Sequence, residues 1–122
     1  MSPAKVVRVD ELAAVQVLGG PLKPVFNPKT VGTKFLRFAV GTFAPGEGLV
    51  IHVHPGSEEV YYVIRGRGTV RLGEEREEVP IEEGMALYIP PGTPHGVKNT
   101  GDVELDVAFF VAPGGEPTKT LE

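Results

Sequence analysis

Glycine and proline punctuate this chain at short intervals, and that spacing constrains its fold more than any other feature. The 122 residues include 16 glycines and 12 prolines. They gather at Gly19-Gly20-Pro21, Pro45-Gly46, Pro55-Gly56, Gly66, Gly73, Gly84, Pro90-Pro91-Gly92, Gly101 and Pro113-Gly114-Gly115. Most gaps between the later clusters have the length of one strand and its turn, the rhythm of an all-β sandwich or barrel. The intervening segments 34–43, 49–53, 60–64, 69–72, 86–89 and 105–111 are rich in β-branched, aromatic and other apolar residues. A helix is suggested only at residues 10–14, as one turn with Asp10 as its cap. Residues 1–33 are less patterned and are interrupted by Pro21, Pro24 and Pro28. They are expected to form an arm of the same domain, laid on the outside of a barrel formed by residues 34–122 or across a partner subunit.

A chain of this length makes one domain with one core. The net charge of −4 and the absence of a basic run give no footing for nucleic acid or an anionic membrane. The densest charge cluster, Glu74-Glu75-Arg76-Glu77-Glu78, follows Leu72-Gly73 and reads as a solvated hairpin tip. With no cysteine, disulfides and thiolate ligands are excluded. No stretch approaches the ~20 apolar residues that span a bilayer. The N-terminus lacks the apolar segment of a secretion signal, so the expected location is the cytoplasm.

All three histidines fall into one constellation. His52 and His54 are two apart, so on a strand both project from the same face. Glu59 follows the Pro55-Gly56-Ser57 turn and can swing back beside them. His95 comes just after the stiff Pro90-Pro91-Gly92-Thr93-Pro94 corner. A histidine pair on a strand is often innocent, but three imidazoles and a carboxylate together are a ligand set for a first-row divalent ion.

These residues lie within two longer patterns. Gly46, His52, His54, Glu59 and Gly66 form the first; Gly84, Pro90, Gly92, His95 and Asn99 form the second. In both, the chain resembles the cupin superfamily, whose two signature motifs it matches at every fixed position across residues 46–99. The 17 residues between Gly66 and Gly84 are similar to the short connection of small single-domain bacterial cupins. The resemblance implies a cupin-type double-stranded β-helix, a jelly-roll-like β-barrel, often dimeric. It also implies a metal held by the positions of His52, His54, Glu59 and His95. Glu58 is a rival for the carboxylate, since the family spacing tolerates it. Glu59 is preferred because it leaves six residues before Gly66 and shares strand parity with Tyr61 and Val63. Asn99 reads as a turn former before Thr100-Gly101, and the motif glycines as backbone devices.

Three neutral imidazoles and one carboxylate leave a divalent ion with a charge of about +1. An octahedral ion with four protein ligands keeps two positions for water, dioxygen or a chelating substrate. Fe, Mn, Ni, Co, Zn and Cu all suit this set. The expected ligand is small, anionic or oxygen-rich: an oxo acid, enediol, dicarboxylate or catechol-like diol. The expected activity is oxidation, isomerisation or lyase chemistry; the alternatives are a non-catalytic small-molecule sensor and a purely structural ion. Tyr61, Val63, Arg37 and Tyr88 are candidate pocket residues. An inward Arg37 would clamp a carboxylate. Segment 34–43 is apolar on both faces, however, and a surface arginine is the commoner outcome. Asp106 is expected to face solvent by alternation.

Overall fold

The computed structural model of the chain describes residues 4–122. Among these, eleven strands run in chain order. They are β1 (Val15–Val17), β2 (Gly20–Phe26), β3 (Arg37–Phe43), β4 (His52–Val53), β5 (Glu58–Arg65), β6 (Arg67–Leu72), β7 (Glu77–Glu82), β8 (Ala86–Ile89), β9 (His95–Lys98), β10 (Leu105–Ala112) and β11 (Lys119–Thr120). They form two antiparallel sheets, ordered β1-β2-β3-β10-β5-β8 and β11-β4-β9-β6-β7. After β3 the chain alternates between the sheets, except at the β6–β7 hairpin, which stays in the second, and it brings distant strands side by side, such as β3 with β10. This is the all-β, double-stranded β-helix architecture anticipated above.

Alternation decides which side chains meet between the sheets. On β5, Glu59, Tyr61 and Val63 are buried while Glu58, Tyr62 and Ile64 are exposed. On β10, Leu105, Val107, Phe109 and Val111 are buried. Register then sets depth. Arg37, Val111 and Glu59 lie opposite one another across β3, β10 and β5. One pleat further in come Ala39, Phe109 and Tyr61, and then Gly41, Val107 and Val63. The deeper rows meet Val70 and Val97 of the other sheet in one core with Phe43, Ile81, Ile89 and Leu105. Phe109 packs edge-on against both Tyr61 and Phe43, with ring centroids 4.7 and 6.3 Å apart. Each fully buried side chain of this size contributes roughly 1.5–3 kcal/mol of transfer free energy.

The elements differ from expectation where proline or a short edge hides a strand. β2 contains Pro21 and Pro24, and a bulge between Pro24 and Phe26 accommodates the missing donor. β7 contains Pro80 and lies at a sheet edge, where one backbone N–H is dispensable. The acidic run begins with the expected hairpin tip at residues 73–76, but Glu77 and Glu78 already belong to β7. At the N-terminus the helical suggestion reduces to a 3-10 turn, Val9–Glu11, capped at Arg8 without a side-chain bond. No helix is long and apolar enough to cross a membrane among the described residues.

Candidate metal centre

The ligand set assembles from three local devices. Pairing of β4 with β9 sets His52 directly opposite His95. The Pro55-Gly56 turn closes with Ser57 N–H donating to the His54 carbonyl at 3.4 Å, which returns the chain so that Glu59 faces inward. The Pro90-Pro91-Gly92 corner is tied to the same place, because Gly92 N–H donates to the His54 carbonyl at 3.0 Å. His52, His54, Glu59 and His95 are 2, 5, 4 and 1% exposed. One ligand atom from each lies within 4.8 Å of all the others. This group could hold a metal ion.

The hydrogen bonds orient the imidazoles for it. His52 Nδ1 donates to the Val50 carbonyl at 2.7 Å, and His95 Nδ1 to the Thr93 carbonyl at 2.9 Å. A carbonyl only accepts, so in both rings Nδ1 carries the hydrogen and Nε2 is left to act as a ligand. His54 Nδ1 meets Thr118 Oγ1 at 3.0 Å, and its Nε2 turns to Glu59 Oε1 at 3.1 Å. Glu59 Oε1 is also 2.8 Å from His95 Nε2. Lone pairs converging so closely require a cation between them, whether proton or metal. The donor set therefore fits a divalent ion.

Electrostatics favour the forms a metal needs. Burial, with His95 alongside, lowers His52 from 6.5 to about 4, so its ring is neutral at neutral pH. Burial works to raise Glu59, yet its close contacts with His54 and His95 overcome it and hold the carboxyl at about 2. Burial, and then the Glu59 charge, raises Tyr61 well above 10, keeping it a phenol.

A cavity of about 240 Å³ opens beside His52, His54 and Glu59. Its wall is largely apolar and includes Leu22, Pro24, Ala39, Phe109 and Val111, joined by Arg37, Asn27 and Thr118. Of the four candidate pocket residues, Arg37 lines this cavity. Tyr61 and Val63 do not: they lie one and two pleats deeper, in the packed core. The Tyr61 hydroxyl is buried with no hydrogen-bond partner among the described residues. Tyr88 is on the outer face and donates to Glu58 at 2.6 Å, which accounts for the outward carboxylate. Asn99 is a turn former, with Nδ2 donating to the Phe43 and Val103 carbonyls and Oδ1 accepting Gly101 N–H. Asp106 is largely covered rather than solvated, because Arg65 pairs with it at 2.9 Å. Thr118 escapes a sequence reading. It reaches His54 only because the chain after β10 doubles back to pair β11 with β4.

A family model described as the cupin domain matches residues 39–117. This chain belongs to the cupin family. The cupin is 35% identical over 109 residues to the polyketide synthase CurC of Streptomyces cyaneus, covering 89% of this chain and 70% of that one. It is 32% identical over 82 residues to the oxalate-binding protein of Thermotoga maritima, covering 67% and 66%. Its fold superposes on the polyketide cyclase RemF of Streptomyces resistomycificus with a TM-score of 0.80, at 22% identity, over 98% and 86% of the two chains. At that identity the likeness to RemF is one of fold.

Proposed function

We propose that this cupin holds one divalent transition-metal ion on His52, His54, Glu59 and His95 and is a metal-dependent enzyme acting on a small oxygenated metabolite by oxidation, isomerisation or lyase chemistry. The observation that carries this reading is the convergence of four buried ligand atoms, two of whose imidazoles have Nδ1 fixed on backbone carbonyls, beside a cavity that admits a ligand. A bound ion of this kind supplies Lewis acidity or a common site for substrate and dioxygen. The chain's own contribution is to present a neutral His52 imidazole and an ionised Glu59 carboxylate, and to exclude water with apolar walls around the substrate. The names of the relatives, polyketide synthase and oxalate-binding protein, support an oxygen-rich ligand.

The test is turnover of a panel of oxo acids, diols and sugar derivatives by metal-loaded protein. Activity should disappear in His52→Ala and Glu59→Gln and on chelation. Activity surviving all three contradicts the reading. A second reading, a binding protein without chemistry, is favoured by the name of the Thermotoga relative. It predicts a ligand that stabilises metal-free and metal-loaded protein equally.

The outer face of the first sheet supports a homodimer as part of the same proposal. Tyr62, Ile64, Tyr88 and Phe110 stand there 42–54% exposed, with Phe38 stacked on Phe110 at 4.8 Å. Of the arm expected over residues 1–33, β1 and β2 are paired into this same sheet, so the part that would lie along a partner is residues 4–14.

A further inference from the structure

A cation stands on the wall of the cavity, and no carboxylate among the described residues pairs with it. Apart from the ligand residues, three polar side chains line that cavity: Asn27, Arg37 and Thr118. The Asn27 carboxamide oxygen is occupied in its own turn, accepting Lys29 N–H at 2.8 Å and Thr30 N–H at 2.9 Å. The Thr118 hydroxyl is engaged with His54. Arg37 makes one hydrogen bond, from Nη1 to the Gly114 carbonyl at 3.1 Å, and it enters none of the ion pairs among the described residues. A guanidinium carries five N–H donors and stays charged at any ordinary pH, so most of its capacity is unused. Holding such a group half-buried against apolar walls is costly unless an anion completes it.

The register places this cation relative to the metal centre. Arg37 is opposite Val111, and Val111 is opposite Glu59, so Arg37 and Glu59 share one inward row two strands apart. Two strand spacings are about 10 Å. The Gly114 carbonyl holds the guanidinium at one end of residues 114–118, a stretch whose other end, Thr118, holds His54. Leu22, Pro24, Ala39 and Val111 line the same cavity with apolar surface.

We infer that Arg37 is the anion-recognition end of the cavity. Its ligand is a compact molecule with metal-binding oxygens at one end, a carboxylate at the other and an apolar body between. The metal-binding end rests on the function proposed above; the carboxylate end rests on Arg37 alone. A two-carbon dicarboxylate chelating the ion would use both carboxylates there and leave Arg37 unmatched. A hydroxylated aromatic acid satisfies both ends.

The test compares two catechols on zinc-loaded protein by calorimetry: 3,4-dihydroxybenzoate, which carries the carboxylate, and 4-methylcatechol, which lacks it. Wild type should prefer the acid by about tenfold or more, the size of a charge-assisted hydrogen bond. Arg37→Gln should collapse that preference towards unity, with zinc content and 4-methylcatechol affinity unchanged. Arg37→Lys, which keeps the charge but not the planar fork, should fall between and serves if Arg37→Gln does not fold. A preference retained in the folded variants, or missing in wild type, overturns the inference. Repeating the pair without zinc separates the two readings. Loss of zinc dependence with the Arg37-dependent preference intact contradicts the metal function and supports the anion site.

Discussion

At the residue scale, the ligand geometry depends on what holds each imidazole from behind. Thr118 Oγ1 is the partner of His54 Nδ1, so Thr118→Val should weaken zinc binding by about tenfold while leaving the fold intact. A competition titration with a chromophoric chelator reads this, and an unchanged affinity would show that the contact does not orient His54. Acid should also unfold the metal-free protein in a defined order. The folded-state value of His52 lies below its ordinary 6.5, so the unfolded chain takes up that proton first. Stability present above pH 6.5 is therefore lost as pH falls towards about 4, by up to about 3 kcal/mol. Glu59, depressed from 4.5 to about 2, adds a loss of the same sign lower down. His52→Asn should flatten the dependence of Tm on pH between 6.5 and 4, and a slope equal to that of wild type would contradict this assignment. His52, His54 and Glu59 are legible in sequence because they lie within eight residues joined by one turn. Thr118 is illegible, since 64 residues separate it from its partner. The depth of Tyr61 and Val63 was hidden for a related reason: strand parity tells inside from outside, not cavity from core.

At the scale of elements, the turns matter as much as the strands. Gly66, with φ +85°, joins β5 to β6, and a Cβ there would lie 2.3 Å from the Glu104 carbonyl oxygen. Gly73, with φ +78°, has open space around it. Gly66→Ala should therefore destabilise by about 2 kcal/mol or more and Gly73→Ala by only about 1 kcal/mol, as urea denaturation would measure. Equal losses would mean that the close approach at Gly66 is relieved at no cost. Alternating apolar residues reveal β5, β8 and β10 to within a few residues of their ends. β2 and β7 are concealed by proline, which a bulge and a sheet edge respectively absorb. Of the expected strand 49–53, only His52–Val53 is regular, because the preceding residues follow the second sheet through single contacts such as Leu49 N–H to the Val97 carbonyl.

For the whole molecule, the two sheets share their inner space between a packed core and a site, and the boundary follows the register from Glu59 to Tyr61. Turn spacing made an all-β fold legible and the resemblance carried by the two motifs implied the architecture; strand order followed from neither spacing nor alternation, because no local pattern says that β3 and β10 become neighbours. The apolar outer face predicts a particle of twice the 13.0 kDa chain mass by light scattering, and a charged substitution such as Phe110→Glu should yield monomer. A monodisperse wild-type monomer would contradict the dimer. Metal should stabilise the fold by mass action, by about 2.7 kcal/mol at a hundredfold excess over Kd. The most direct test of the shared ion is X-ray absorption at the zinc edge of protein loaded with one equivalent. The arrangement of His52, His54, Glu59 and His95 predicts scattering from three imidazoles at about 2.0–2.1 Å, with one lost in His95→Ala. An oxygen-only shell, or a spectrum unmoved by that substitution, would contradict it.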